Sequence, residues 1–368
     1  LLRVILADVV PPELPRPKAE EHFAELARLI ETLGGMTIVG VIQKRGCPNG
    51  KTYLGTGKAT EVGELAKELK ADAVVINGIL KGNQYHELTQ RISCTIWDRV
   101  DVILRIFERH AATAEAKLQI KRARLEYDIP KIYRRAATTL FERERGGGVI
   151  QRGAGETGIE AEKRHIREQI KQVDIKLKAI QKTHAGQRAA RARAGLPTVA
   201  IVGYTNAGKS SLLRAITGKK VLVADKLFAT LDTRLGSLWL PELQRKVLLA
   251  DTIGFIENLP PSLIAAFKAT LDEAVHADLI LHVFDAAEPA TEIARKQKTV
   301  EDILTELGCA ATPRLLVANK IDLLKPAARR KLEKQTKIIA VSAAEKIGFE
   351  QLKTQLEKFF DKRANTGD

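Results

Sequence analysis

The sequence predicts an α/β protein in three parts: a small N-terminal α/β domain (residues 1–100), an antiparallel helical hairpin (101–195) and a larger α/β domain with a mainly parallel sheet (196–368). Three observations carry that prediction. Short β-branched runs alternate with helical spacings over the first hundred residues. Apolar residues then recur in three- and four-residue steps. From Thr198 onward, several apolar runs end in short polar motifs, as strands of an open parallel sheet do at their ligand-binding ends. A length of 368 residues is itself that of two or three domains.

In the first part, Val4–Ala7, Thr37–Ile42, Ala73–Ile76 and Cys94–Trp97 are predicted strands. Ala19–Leu33 is a predicted helix with Phe23, Leu26, Leu29 and Ile30 on one face, and Glu61–Leu69 and Tyr85–Ile92 are shorter ones. Gly55-Thr56-Gly57-Lys58 precedes a helix. It reads first as a glycine turn. The alternative is a phosphate held by the helix N-terminus and Lys58.

From Asp101 the rhythm becomes that of a heptad, with Leu104, Phe107, Ala111, Ala114, Leu118 and Leu125 as one stripe. A second helix starts near Gly158 and places Ile166, Ile170, Val173, Leu177 and Ile180 on its stripe. Between them, about residues 130–157, the expectation is a long loop. It contains Arg134-Arg135, Arg143, Arg145, Gly146-Gly147-Gly148 and Arg152, a composition that can follow a phosphate backbone closely. The charge supports such a partner. The chain carries 60 Lys+Arg against 45 Asp+Glu, a net of +15, and residues 101–195 hold 22 basic and 12 acidic residues, a net of +10. That favours nucleic acid or an anionic membrane surface, although a solvated coiled-coil face has the same composition. The three cysteines, Cys47, Cys94 and Cys309, have no metal-ligand spacing and suit a reducing compartment. No run approaches the ~20 apolar residues of a membrane span. The chain begins Leu1-Leu2 rather than with Met, so a preceding segment is allowed for.

The third part opens on Thr198–Val202, a predicted strand, followed by Gly203-Tyr204-Thr205-Asn206-Ala207-Gly208-Lys209-Ser210 and an amphipathic run from Ser211 to Ile216. Strand, glycine loop and helix in that spacing form a phosphate-binding loop. Backbone N–H groups and the helix dipole converge on the phosphates, Lys209 reaches the β and γ oxygens, and the Ser210 hydroxyl suits Mg²⁺. The strand Val247–Ala250 ends in Asp251-Thr252-Ile253-Gly254-Phe255, where Asp251 suits an outer-sphere contact to Mg²⁺ and the Gly254 N–H can meet the γ-phosphate. Leu279–Phe284 is a further strand. Leu315–Ala318 ends in Asn319-Lys320-Ile321-Asp322, whose aspartate can accept from N1–H and the 2-amino group of guanine together. Ile338–Val341 ends in Ser342-Ala343, a candidate for a backbone N–H to the guanine O6, and Phe349–Phe360 is a closing helix. Four such motifs in this order identify a P-loop GTPase domain binding GTP/GDP with Mg²⁺. Between the first two motifs, Leu227-Phe228-Ala229-Thr230-Leu231-Asp232-Thr233-Arg234 is the candidate γ-phosphate sensor. Thr230 is the expected Mg²⁺ ligand, with Thr233 the alternative, and Phe228 the neighbouring nucleotide contact. Lys209, Thr230 and Gly254 are the candidate catalytic residues; Ser210, Thr230 and Asp251 are the candidate metal ligands. Where many GTPases carry a glutamine that orients the attacking water, this chain has Phe255, so unassisted hydrolysis is expected to be slow.

Taken together, the motifs resemble the HflX family of ribosome-associated GTPases over nearly the full chain. The resemblance rests on Arg152-Gly153-Ala154-Gly155-Glu156-Thr157, Tyr53-Leu54-Gly55-Thr56-Gly57-Lys58, Phe228-Ala229-Thr230-Leu231-Asp232 and Asp251-Thr252-Ile253-Gly254-Phe255. Two departures stand out: Ala154 where the family usually has Pro, and a switch a residue or two shorter after Asp232. The chain ends soon after Phe360, so the extra C-terminal domain of many bacterial members is not expected. The resemblance implies a partner, the large ribosomal subunit and its rRNA, and a task in ribosome splitting, rescue or late maturation. It implies hydrolysis stimulated by the ribosome and a cytoplasmic, monomeric protein without stable membrane association. Asn206 resembles the asparagine of related GTPases that use K⁺ near the phosphates. A GTPase of tRNA modification, and an RNA-binding NTPase using the Gly55–Lys58 turn, are the competing readings.

Overall fold

The computed structural model describes residues 1–145, 154–218, 228, 234–256, 263 and 271–366. The chain folds as two compact units, Leu1–Arg109 with Lys117–Leu177, and His110–Ala116 with Lys178–Asp368.

The first unit holds a four-stranded, all-parallel sheet in the order β2-β1-β3-β4. Its elements are β1 (Leu2–Val10), α1 (Arg16–Thr32), β2 (Gly35–Lys44), α2 (Thr56–Glu68), β3 (Ala73–Ile76), α3 (Gly82–Thr89) and β4 (Thr95–Asp98). Ile5, Ala7, Val74 and Ile76 are buried from the sheet against Val62 and Ala66 of α2 and Leu88 of α3. The Gly55 turn is a helix entry: the Gly55 N–H donates to Gln43 Oε1 at 2.7 Å and Lys58 pairs with Glu61.

The expected continuous heptad helix from Asp101 is instead two helices, α4 (Arg99–His110) and α5 (Ala114–Arg145). Thr113 breaks the run by accepting from the Ala116 N–H at 3.1 Å, an N-cap that starts a new helix. The buried positions at the start of α5 are therefore Ala116, Gln119, Ile120 and Ala123, while Ala114 is exposed and Leu118 half-buried. The expected loop from residue 130 is also corrected. α5 runs through Pro130 to Arg145, and α6 (Ala154–Arg193) already contains Gly155 and Gly158. Tertiary contacts outweigh the helix-breaking proline. Lys131 donates to Asp101 Oδ2 at 2.7 Å and lies 4.7 and 4.0 Å from the ring centres of Tyr85 and Tyr127. Arg124 also binds Asp101. Arg134, Arg135, Arg143 and Arg145 thus fall on helix, and Arg152 and the triple glycine lie outside the described residues. The two helices run antiparallel, since Arg122 pairs with Asp174 and Glu115 with His184. Ile166, Val173 and Leu177 of α6 are buried, with Ile170 and Ile180 half-buried.

The second unit contains a six-stranded sheet, β10-β9-β8-β5-β7-β6, parallel except for its β6 edge. The strands are β5 (Thr198–Gly203), β6 (Arg234–Leu240), β7 (Arg245–Asp251), β8 (Leu279–Asp285), β9 (Arg314–Asn319) and β10 (Ile338–Ala340). The helices are α7 (Lys209–Thr217), α8 (Asp272–Val275), α9 (Ala290–Glu306), α10 (Pro326–Glu333) and α11 (Phe349–Thr366). β6 is an addition to the expected strands: Leu238 and Leu240 point into the core and Trp239 outwards. Among the described residues, no helix is long and apolar enough to cross a membrane.

Candidate nucleotide site

The loop after β5 is shaped by two glycines at which any side chain would be strained. Gly203 has φ +154°, and a Cβ there would lie 2.1 Å from Val283 O on β8. Gly208 has φ +87°, and a Cβ there would lie 2.1 Å from Asn319 Nδ2. Between them, Tyr204, Thr205 and Ala207 are buried, and Asn206 sits exposed at the apex with φ +62°. α7 begins at Lys209, so the loop's amides and the positive end of α7 face the same space. Ser211 lies in the first turn of α7.

Lys209 is buried, and its Nζ donates to Gly203 O at 3.0 Å and Tyr204 O at 2.8 Å. Burial lowers its pKa to about 8, with the Asp251 carboxylate opposing the shift. The loop thus keeps an ammonium poorly solvated and ready for a polyanion. Ser210 Oγ donates to Asp251 Oδ2 at 2.6 Å, which joins two hard oxygen donors at the end of β7.

The segment after Asp251 runs alongside the phosphate loop. The Phe255 N–H donates to Gly203 O at 3.1 Å, and the Thr205 N–H to Phe255 O at 2.8 Å. This brings Gly254 against Lys209 and Thr205: an added Cβ would lie 2.9 Å from Lys209 Nζ and 2.8 Å from Thr205 Cγ2. The Phe255 ring is 1% exposed and belongs to the core. Phe228 is buried with φ +59°. Thr230 and Thr233 lie outside the described residues.

On the side expected to read the base, Asn319 acts as a bridge. Its Nδ2 donates to Ala207 O at 2.9 Å, and its Oδ1 accepts from the Ala343 N–H at 3.0 Å. One buried amide therefore ties the phosphate loop to the Ser342-Ala343 turn. Lys320 has φ +64° and pairs with Asp285 at the end of β8, 2.7 Å away. The exposed Asp322 accepts from Ser342 Oγ. The Ser342 N–H donates to Ile347 O and the Ala343 N–H to Asn319, so a guanine O6 would have to share a donor rather than find a free one. Sequence reasoning missed Asp285, although its place at the carboxyl end of a strand is the signal that would have found it. Among the described residues, no cluster of three or more His, Cys, Asp or Glu could hold a metal ion.

Three family models match in succession: "GTP-binding GTPase N-terminal" over residues 20–108, "GTP-binding GTPase Middle Region" over 110–191, and "50S ribosome-binding GTPase" over 198–320. A relative from Caldanaerobacter subterraneus subsp. tengcongensis, named GTPase HflX, is 41% identical over 93% of this chain and 78% of its own. The Escherichia coli K12 protein of the same name is 38% identical over 91% and 78%. Among solved structures, the SsGBP–GDP complex is 23% identical and covers 98% of each chain with a TM-score of 0.52, a likeness of fold.

Proposed function

The chain belongs to the HflX family of GTPases, and from that premise we propose that its GTP cycle is a switch worked on the large ribosomal subunit, in ribosome splitting, rescue or late maturation. The family accounts for GTP/GDP binding and GTP hydrolysis. The observation that carries the ribosomal step is the net charge of +10 on residues 101–195, set on helices of 32 and 40 residues beside the nucleotide domain in sequence. Such helices project basic side chains over tens of ångströms (~1.5 Å per residue), the reach needed to enter an RNA surface.

In this reading the Gly203–Ser210 loop holds the phosphates and Lys209 neutralises the β and γ oxygens. Ser210 and Asp251 would hold Mg²⁺, for which their paired oxygens fit, and Thr230 would join them. When bound, Mg²⁺ would supply charge neutralisation for the phosphates. The Gly254 N–H meets the γ-phosphate, Asp322 selects guanine, and the Lys320 stem lies along the base. Asn206, at the loop apex, is suited to a K⁺ ion beside the phosphates. Since Phe255 is packed in the core, no side chain there orients the attacking water, and hydrolysis waits for the ribosome. The protein then acts in the cytoplasm as a monomer, with no stable membrane association.

Pelleting with purified large subunits tests the proposal. Binding is expected with a non-hydrolysable GTP analogue and weakened binding with GDP. Equal or absent binding in both states would overturn it.

A further inference from the structure

Behind the phosphate loop, between β8 and α9, lies a small pocket lined by Thr205, His282, Val283, Ile293, Lys296 and Val300. Two buried polar atoms of these lining residues, Thr205 Oγ1 and His282 Nδ1, have no hydrogen-bond partner among the described residues. Their residues are 7% and 1% exposed. Buried hydroxyl and imidazole groups are nearly always satisfied, by protein or by ordered water. The cavity of about 10 Å³ is the space of a single water. Its chemistry suits a neutral guest. Lys296 is paired with Glu288, and burial together with the charges of Arg314 and Lys209 keeps His282 neutral down to about pH 4. A neutral imidazole offers one donor and one acceptor nitrogen, and a hydroxyl offers both, so one water can bond to each.

We propose that this pocket holds one ordered water bonded to Thr205 Oγ1 and His282 Nδ1, and that the resulting chain makes His282 a positioning residue for GTP hydrolysis. Thr205 is the link to the nucleotide. Its N–H binds Phe255 O at 2.8 Å, and its Cγ2 packs on Gly254. Whatever fixes the Thr205 rotamer also fixes the segment that must approach the γ-phosphate. His282 is a firm anchor: it lies on a central strand, in register with Val202 on β5 and Leu316 on β9. A water between the two side chains pins the phosphate loop to the middle of the sheet. None of the hairpin's basic residues takes part, so this role holds whether or not the ribosome is the partner.

The test measures kcat and KM for GTP with the full chain and no ribosome. Thr205→Val removes the hydroxyl at constant shape, Thr205→Ser keeps it, and His282→Phe removes the ring nitrogens. Thr205→Val and His282→Phe should each lower kcat about fivefold, or about 1 kcal/mol, and move KM less than twofold. Thr205→Ser should lose clearly less kcat than Thr205→Val, and the double variant should be no slower than either single one, because both delete the same water. Serine losing as much as valine, additive losses, or an unchanged kcat in Thr205→Val would overturn the proposal. If His282→Phe fails to fold, the serine–valine pair decides alone. A crystal structure showing a dry pocket would also overturn it.

Discussion

Replacing Gly208 by alanine would strike the point where the phosphate loop and the base-side motif meet. A Cβ at this position lies 2.1 Å from Asn319 Nδ2, and the backbone stands at φ +87°. Holding a non-glycine residue in the left-handed region costs about 1–2 kcal/mol. The displaced Asn319 amide also gives up its bonds to Ala207 O and from the Ala343 N–H, at about 0.5–1.5 kcal/mol each. The sum, about 2–5 kcal/mol, falls on the conformation that binds nucleotide, so GDP affinity should drop by about 30-fold or more. Titration calorimetry with GDP reads this directly. Gly218→Ala is the matched control: it has φ +70° but nothing within 4 Å of its Cβ. It should melt slightly earlier and bind GDP within about threefold of the parent. If Gly208→Ala also stayed within that range, the packing of Asn319 against the loop would not be what shapes the site.

Asp322→Asn should lower GTP affinity by about 10- to 100-fold and raise affinity for xanthosine triphosphate, whose 2-oxo group suits the new amide donor; equal losses for both nucleotides would mean Asp322 only supports Ser342. Lys209 predicts a pH dependence. The free ammonium titrates at about 8, and bound phosphate would raise that value, so GDP affinity should fall about tenfold from pH 7 to 9; a flat profile would contradict the burial-driven shift. Replacing Arg143, Arg145 and Arg152 together by alanine should weaken large-subunit binding and reduce its log–log salt slope by about 2–3, with GDP affinity unchanged. An unchanged slope would put the contacting charge elsewhere.

The parallel strands were legible because each is a short apolar run with a turn or polar motif at its end, as in Ala73–Ile76 and Leu279–Asp285. The GTP-binding motifs were legible for the same reason. β6 was not. Its alternating Arg234–Leu240 pattern adjoins the stretch read as a switch, and its outward Trp239 hides the period. The hairpin was misjudged where local rules met tertiary forces. Pro130 marks a helix end by propensity, yet Asp101, Tyr85 and Tyr127 hold Lys131 one residue later and the helix continues. Within the site, sequence named Asn319 but not its bridging role, because its bond to Ala207 spans 112 residues. The Thr205–His282 pocket was invisible for the same reason. It depends on β5 and β8 being neighbours in the sheet, which no local pattern states.

The most direct test of the account is GTP turnover by the full chain with and without purified large ribosomal subunits, in K⁺ buffer. The account predicts a slow basal rate, because Phe255 lies in the core, and stimulation by the subunits of at least about tenfold, or about 1.4 kcal/mol. The same turnover with and without subunits would contradict it.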